Sequence, residues 1–175
     1  VYVCGQGADA KSWLLQLDPS TAKLTTLASA DDNGIATNSP MMSLPWGDDS
    51  VLVLYSGAGG KDDGVLVKWN VKTAKPTQQW TLPGLFDPMG MARIPDSDDL
   101  VVVDNNWDLK SVKPGRIARV SLTADGGAAG ISMIDADLKG PVSCAFGPDG
   151  RLYVATLGPA FDEGKGSVVA ISGIK

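Results

Sequence analysis

A repeat of about fifty residues limits what this chain can fold into more than any other feature of it. Four β-rich runs recur at that interval: Val1-Tyr-Val-Cys4, Val51-Leu-Val-Leu54, Val101-Val-Val-Asp104 and Leu152-Tyr-Val-Ala155. Each is followed by a Gly- or Asp-rich gap and a second strand-like run, at Ser12–Leu17, Val65–Trp69, Arg116–Leu122 and Ser167–Ile171. In the first three repeats a turn then leads to a third run, at Leu24–Ala28, Thr77–Leu82 and Ala129–Ile134. Ahead of the last three leading runs lies an apolar segment opened by proline and closed by an acidic turn: Pro40–Asp49, Pro88–Asp99 and Pro141–Gly150. The unit is four strands, A to D, and four antiparallel strands repeated at this period form blades that close radially into a β-propeller.

Composition agrees. Glu163 is the only glutamate among 20 acidic residues, so the acids are aspartates, which favour turns and caps over helix interiors. With 21 Gly and 11 Pro and no long run of apolar residues at helical spacing, the chain reads as all-β. Histidine is absent, which excludes a Ser-His-Asp or Cys-His catalytic group, a His-ligated zinc or copper site and c-type haem attachment. A net charge of −5 disfavours nucleic acid as a partner. No apolar run is long enough for a helical membrane span. Little Lys and Glu beside much Asp, Asn, Thr and Gly suggests an exported protein, periplasmic or extracellular.

A family resemblance rests on two segments. Pro141-Val-Ser-Cys-Ala-Phe-Gly-Pro-Asp-Gly-Arg-Leu-Tyr-Val-Ala155 resembles the blade signature of the NHL-repeat and senescence-marker-protein/gluconolactonase propellers, in which a Gly-Pro-Asp-Gly turn joins the innermost strand to an apolar second strand. Leu17-Asp-Pro-Ser-Thr-Ala-Lys-Leu24 is similar to the C-to-D turn of the same proteins. The resemblance implies a ring of about six blades. In lactonases of this group a central metal is held by a Glu and by Asn or Asp near the starts of the inner strands. The matching places here are Ser39-Pro-Met-Met42, Asp87-Pro-Met-Gly-Met91 and Gly140-Pro-Val-Ser-Cys144, where no Glu occurs and only Asp87 and Asp104 stand in for one.

The phase of the repeat gives strands B-C-D, two whole blades, and then A-B-C, over one propeller domain or fragment spanning 1–175 with units at 1–39, 40–87, 88–140 and 141–175. Val1 aligns with strand B rather than with a translation start. Open strand edges template pairing, so the expected partner is a further protein, or a second copy of this chain, completing the first and last blades. A fragment of a larger propeller, or a sequence boundary without biological meaning, accounts for the same phase.

Topology also locates a candidate site. The B–C and D–A connections share one face of the disc and the A–B and C–D turns the other. The C–D turns read as short and regular, whereas the B–C connections are long, and long loops on a rigid scaffold carry binding residues. That face holds Asp9, Asp62, Asp63, Asp104, Asn105, Asn106, Trp107, Asp108, Asp162 and Glu163. Carboxylates and amides are hard oxygen ligands for calcium or magnesium, and Asp104, Asn105 and Asp87 form the candidate set. Asx-turn capping of strand ends accounts for the same residue types. Asp31-Asp-Asn-Gly34 lacks the spacing of a calcium loop and reads as a turn.

Trp107 in a long loop is a platform for a sugar or apolar ligand, or is buried under its own loop, while Trp13, Trp69 and Trp80 read as packing between sheets. Met41, Met42, Met89, Met91 and Cys144 fall on inner strands, where filling of gaps competes with a soft-metal site. Nothing places Cys4 and Cys144 in disulfide reach. The function expected first is a non-catalytic module recognising a small molecule or partner on the B–C face. A divalent-metal lactonase and a structural assembly subunit are the alternatives.

Overall fold

A computed structural model of the chain describes residues 1–35, 39–107, 113–158 and 164–174. The first sheet contains β1 (Tyr2–Gln6), β2 (Ser12–Asp18) and β3 (Lys23–Ser29), in that order. The second contains β4 (Pro40–Pro45), β5 (Ser50–Tyr55), β6 (Val65–Asn70) and β7 (Lys75–Thr81). The third contains β8 (Pro88–Arg93), β9 (Leu100–Asp104), β10 (Gly115–Ser121) and the outer β12 (Gly130–Leu138), while the short β11 (Gly127–Ala128), between β10 and β12 in the chain, joins the second sheet. The fourth contains β13 (Pro141–Phe146), β14 (Leu152–Thr156) and β15 (Ser167–Ile171). Within each blade neighbouring strands are antiparallel. Strand phase is as expected, B-C-D, two full blades and A-B-C, and the architecture is an all-β set of propeller blades.

The continuous apolar runs of the B strands follow from packing between blades. Alternate residues of a strand face opposite sides of its sheet, so a sheet covered on both faces is apolar at every position. In β5, Leu52 and Leu54 enter the core shared with the third blade, while Val51, Val53 and Tyr55 enter the core shared with the first. In β9, Leu100 and Val102 face the second blade, and Val101 and Val103 the fourth. At each end only one face is covered: Tyr2 and Cys4 of β1 pack inward while Val3 is 37% exposed, and Val168 of β15 is 68% exposed.

Each inner strand opens on proline with a register shift just after it, at Pro40/Met42, Pro88/Gly90 and Pro141/Ser143. A bulge is where a strand tolerates the missing donor of proline. The C–D turns of the first two blades share their chemistry. Asp18 accepts from the Ser20 amide (2.9 Å) and Asn70 from the Lys72 and Thr73 amides (3.0 and 2.9 Å), and Ala22 and Ala74 both take φ of 55°.

The third C–D connection corrects the expectation of short, regular turns. It sends out β11, which pairs in parallel with Trp80–Thr81 on the outer edge of the second blade. The Trp80 indole donates to the Thr123 carbonyl (2.8 Å), and Gly126, at φ of 81°, lies so close to that edge that a Cβ there would be 2.9 Å from the Gln79 carbonyl oxygen. A two-residue Gly-Ala strand has no propensity signal, so only its partner defines it. Asp31-Asp-Asn33 forms a turn of 3-10 helix, with Asp31 accepting from the Ser12 amide. Met91 and Cys144 are buried in the blade cores, Met42 packs against one, and both cysteines are free thiols pushed up by burial, Cys4 to about 11 and Cys144 to about 12. Among the described residues no helix is long and apolar enough to cross a membrane.

Candidate ligand site where the inner strands begin

Where a B strand leaves its sheet beside the start of its own blade's inner strand, an equivalent backbone hydrogen bond joins the two segments in each of three blades. The Ser56 amide donates to Ser39 (3.0 Å), the Asn105 amide to Asp87 (2.9 Å) and the Leu157 amide to Gly140 (2.8 Å). These pairs are equivalent by position, and Gln6 is the corresponding residue of the first blade. A cleft of about 390 Å³ opens there, lined by Gln6, Ser39, Ser56, Asp87, Trp107 and the backbone of Gly57-Ala58-Gly59. Its side chains supply two hydroxyls, one amide, one carboxylate and one indole.

Asp87 is its charged corner, with Asn105 bonded behind it. Both are buried, and the Asn105 Nδ2 donates to Asp87 Oδ2 (3.2 Å). Burial raises the Asp87 carboxyl above the usual carboxylate range, opposed by the Asn105 hydrogen bond and reinforced by the charge of Asp104. Among the described residues the Asn105 Oδ1 is buried without a hydrogen-bond partner, an arrangement that costs free energy unless a ligand or water completes it.

Asp104 has a different task. Fully buried, it accepts from the Asp87 amide (2.8 Å) and the Asn106 amide (3.0 Å) on Oδ1. On Oδ2 it accepts from the Phe86 amide (3.3 Å) and forms an ion pair with Arg116, whose Nε lies 3.1 Å away. Five donors on two oxygens exhaust a carboxylate. Arg116 also donates to the Gly84 carbonyl (2.7 Å) and lies over the Phe86 ring.

The remaining expected residues divide. Asn106 takes φ of 55° and its Nδ2 donates to the Pro114 carbonyl (3.0 Å), closing its own loop. Trp107 lines the cleft, its ring 3.9 Å from where a Cβ on Gly59 would sit. Asp62 accepts from the Gly84 amide (2.9 Å) and Asp63 from the Ala58 amide (3.2 Å), and the Asp63 carboxylate fills the space a side chain at Gly57 would need. Asp9 accepts from the Trp13 indole (3.2 Å), the bond that chiefly holds its carboxyl low. Asp108, Asp162 and Glu163 lie outside the described residues.

The calcium or magnesium reading of Asp104, Asn105 and Asp87 meets this geometry directly. With Asp104 saturated, Asp87 and the Asn105 Oδ1 are the oxygens of that set left for a cation, and calcium takes six to eight. Among the described residues no three acidic, His or Cys side chains converge. These residues do not by themselves fit a resident divalent ion, and no chemistry is derived through one. Sequence reading passed over Gln6, Ser56 and Arg116. The first two follow from carrying the repeat alignment two residues past the first and second B runs; Arg116 had no signal, because its partner is set by strand register.

No protein-family model and no curated protein sequence matches the chain. Solved structures do, and they are β-propellers. The chain is similar to the PQQ-bound form of aldose sugar dehydrogenase from Streptomyces coelicolor, at 25% identity and a TM-score of 0.51 over 74% of this chain and 41% of that one. It is similar to streptogramin B lyase at 21% and 0.53, over 98% and 54%. Similarity to the periplasmic gluconolactonase PpgL of Pseudomonas aeruginosa is 17% and 0.59, over 90% and 47%. The chain therefore has a β-propeller fold like that of these structures, and spans about half their length.

Proposed function

We propose that the chain binds a small, hydroxyl-rich molecule in the cleft where the inner strands begin. The carrying observation is the lining: hydroxyl, amide and carboxylate groups beside the Trp107 indole, with no cationic side chain among the described residues. Hydrogen-bonding groups against one aromatic face suit the alternating polar edge and apolar face of a sugar ring. The likeness to an aldose sugar dehydrogenase supports that choice of ligand class. Titration with D-glucose and D-glucono-1,5-lactone, followed by tryptophan fluorescence and calorimetry, tests it. Saturable binding weakened by Trp107→Ala and by Asp87→Asn is expected; no binding of either, or binding unaffected by both substitutions, overturns it.

A second reading, lactone hydrolysis, is favoured by Asp87, whose burial raises its carboxyl toward the range of a general base. Assay of glucono-1,5-lactone hydrolysis with and without added calcium or magnesium checks it, and a rate unchanged by Asp87→Asn overturns it. Completion of the first and last blades by a protein partner or a second copy is supported by the exposure of Val3 and Val168. Mass measurement in solution decides it, and a stable 18.2 kDa monomer overturns it. The Asp-, Asn- and Gly-rich composition supports a location outside the cytoplasm.

A further inference from the structure

We propose that Asp104 and Arg116 are positioning residues, a buried carboxylate and a half-buried guanidinium that the fold does not need and that set the corner made by Asp87 and Asn105. The proposal rests on the reading of the cleft as a ligand site. The repeat supplies an internal control: whatever the blade geometry requires should recur in sister blades, and what occurs in one blade alone serves something else.

Asp104 and Arg116 face one another across β9 and β10. At the same place the second blade has Tyr55 opposite Val65, the fourth has Thr156 opposite Ser167, and the first has Gly5 opposite Trp13. In the fourth blade the hydroxyls of Thr156 and Ser167 are 3.0 Å apart, a neutral pair at the position of the ion pair. The second and fourth blades still form the backbone bond from the B-strand exit to the residue before proline. A buried ion pair is poor evidence of stabilisation, because desolvation offsets the attraction, so stability does not explain its presence in one blade.

Its contacts do. Asp104 holds the amides of Phe86 and Asp87 on one side and of Asn106 on the other, and Arg116 holds the Gly84 carbonyl. The linker that presents Asp87 and the loop that presents Asn105 and Trp107 are thus pinned to a single carboxylate. The backbone responds: before proline, Ser39 and Gly140 are left-handed, at φ of 59° and 64°, while Asp87 does not take that conformation. Blade three has exchanged the conformation of its sisters for one in which the Asp87 amide points at Asp104.

The test grafts the fourth blade's pair onto the third, Asp104→Thr with Arg116→Ser, and uses Asp104→Asn as a second variant that keeps shape and removes charge. Thermal melts, glucose and glucono-1,5-lactone titrations, and amide hydrogen exchange are measured on each. Melting within a few degrees of the parent with affinity weakened about tenfold or more supports positioning, since small displacements of a binding group have effects of that size. Unchanged affinity in both variants overturns it, as does unfolding of both, which would make the pair part of the framework. If the parent binds neither sugar, the cleft reading fails separately, and exchange decides the positioning: faster exchange confined to Phe86, Asp87 and Asn106 supports it, and unchanged exchange there overturns it.

Discussion

The third blade and its neighbours are built on one plan and differ in what they do with the same positions. In the second blade the residues at the strand exit and before proline are Ser56 and Ser39; in the fourth they are Leu157 and Gly140; in the third they are Asn105 and Asp87. The backbone bond between them is common to all three. The polar corner and the ion pair beneath it are therefore additions to a framework that closes without them. The apolar sorting of the B strands, the proline-opened inner strands and the A–B turns are the framework itself. A residue repeated in register is explained by blade packing, and a residue that breaks the repeat needs a local reason.

Four outcomes would break or sharpen that contrast. The largest concerns framework. Leu54 is fully buried between the second and third blades, and Leu54→Ala should lower stability by about 2–5 kcal/mol, read by urea unfolding. A loss far below that would mean the blades do not share a tight core. Next comes the strap that the third blade lays on the second. Gly126→Ala places a Cβ against the Gln79 carbonyl at a positive φ and should be destabilising by about 1–3 kcal/mol, with hydrogen exchange quickening at Trp80 and Thr81.

Asp87 should behave in the opposite sense. Its carboxyl is raised in the folded state, so the folded chain holds that proton more tightly than the unfolded chain does. Stability from this group is present below the unfolded value and is lost as pH rises through the folded one. Asp87→Asn should melt above the parent at pH 7, and the difference should shrink on acidification below the folded value; a difference independent of pH would rule out the burial argument. Smallest are Ala22→Gly and Ala74→Gly, which relieve left-handed backbone in matching turns and should each add about 0.5–1 kcal/mol. Unequal effects would show that the first two blades are less equivalent than their turn chemistry.

Much of the architecture was legible because its cause is local and repeated. Val51–Leu54 and Leu100–Val103 announce strands covered on both faces, and the Asp18 and Asn70 turns announce themselves by residue type. The side on which the long B–C connectors gather was legible from their length, and Asp87 and Trp107 line a cleft there, with Asn105 bonded to Asp87. What misled was chemistry taken residue by residue. Asp104, Asp62 and Asp63 are carboxylates in a loop-rich face, as a ligand site would have, yet each is occupied by amides or by Arg116. Hydrogen-bond saturation is a property of neighbours in space, so no spacing rule reveals it.

The sequence by itself determined a repeated four-strand unit, its phase and the side of the disc on which long connectors gather, because turn propensity and strand periodicity act within a few residues. Only the tertiary structure decided which polar groups are free. Strand register set Arg116 opposite Asp104, the strap from the third blade closed over the second, and burial joined the Asn105 amide to Asp87 while leaving the Asn105 Oδ1 unfilled among the described residues. Each of those outcomes depends on segments twelve to nearly fifty residues apart being brought to contact distance, which is information that no single stretch of the chain contains.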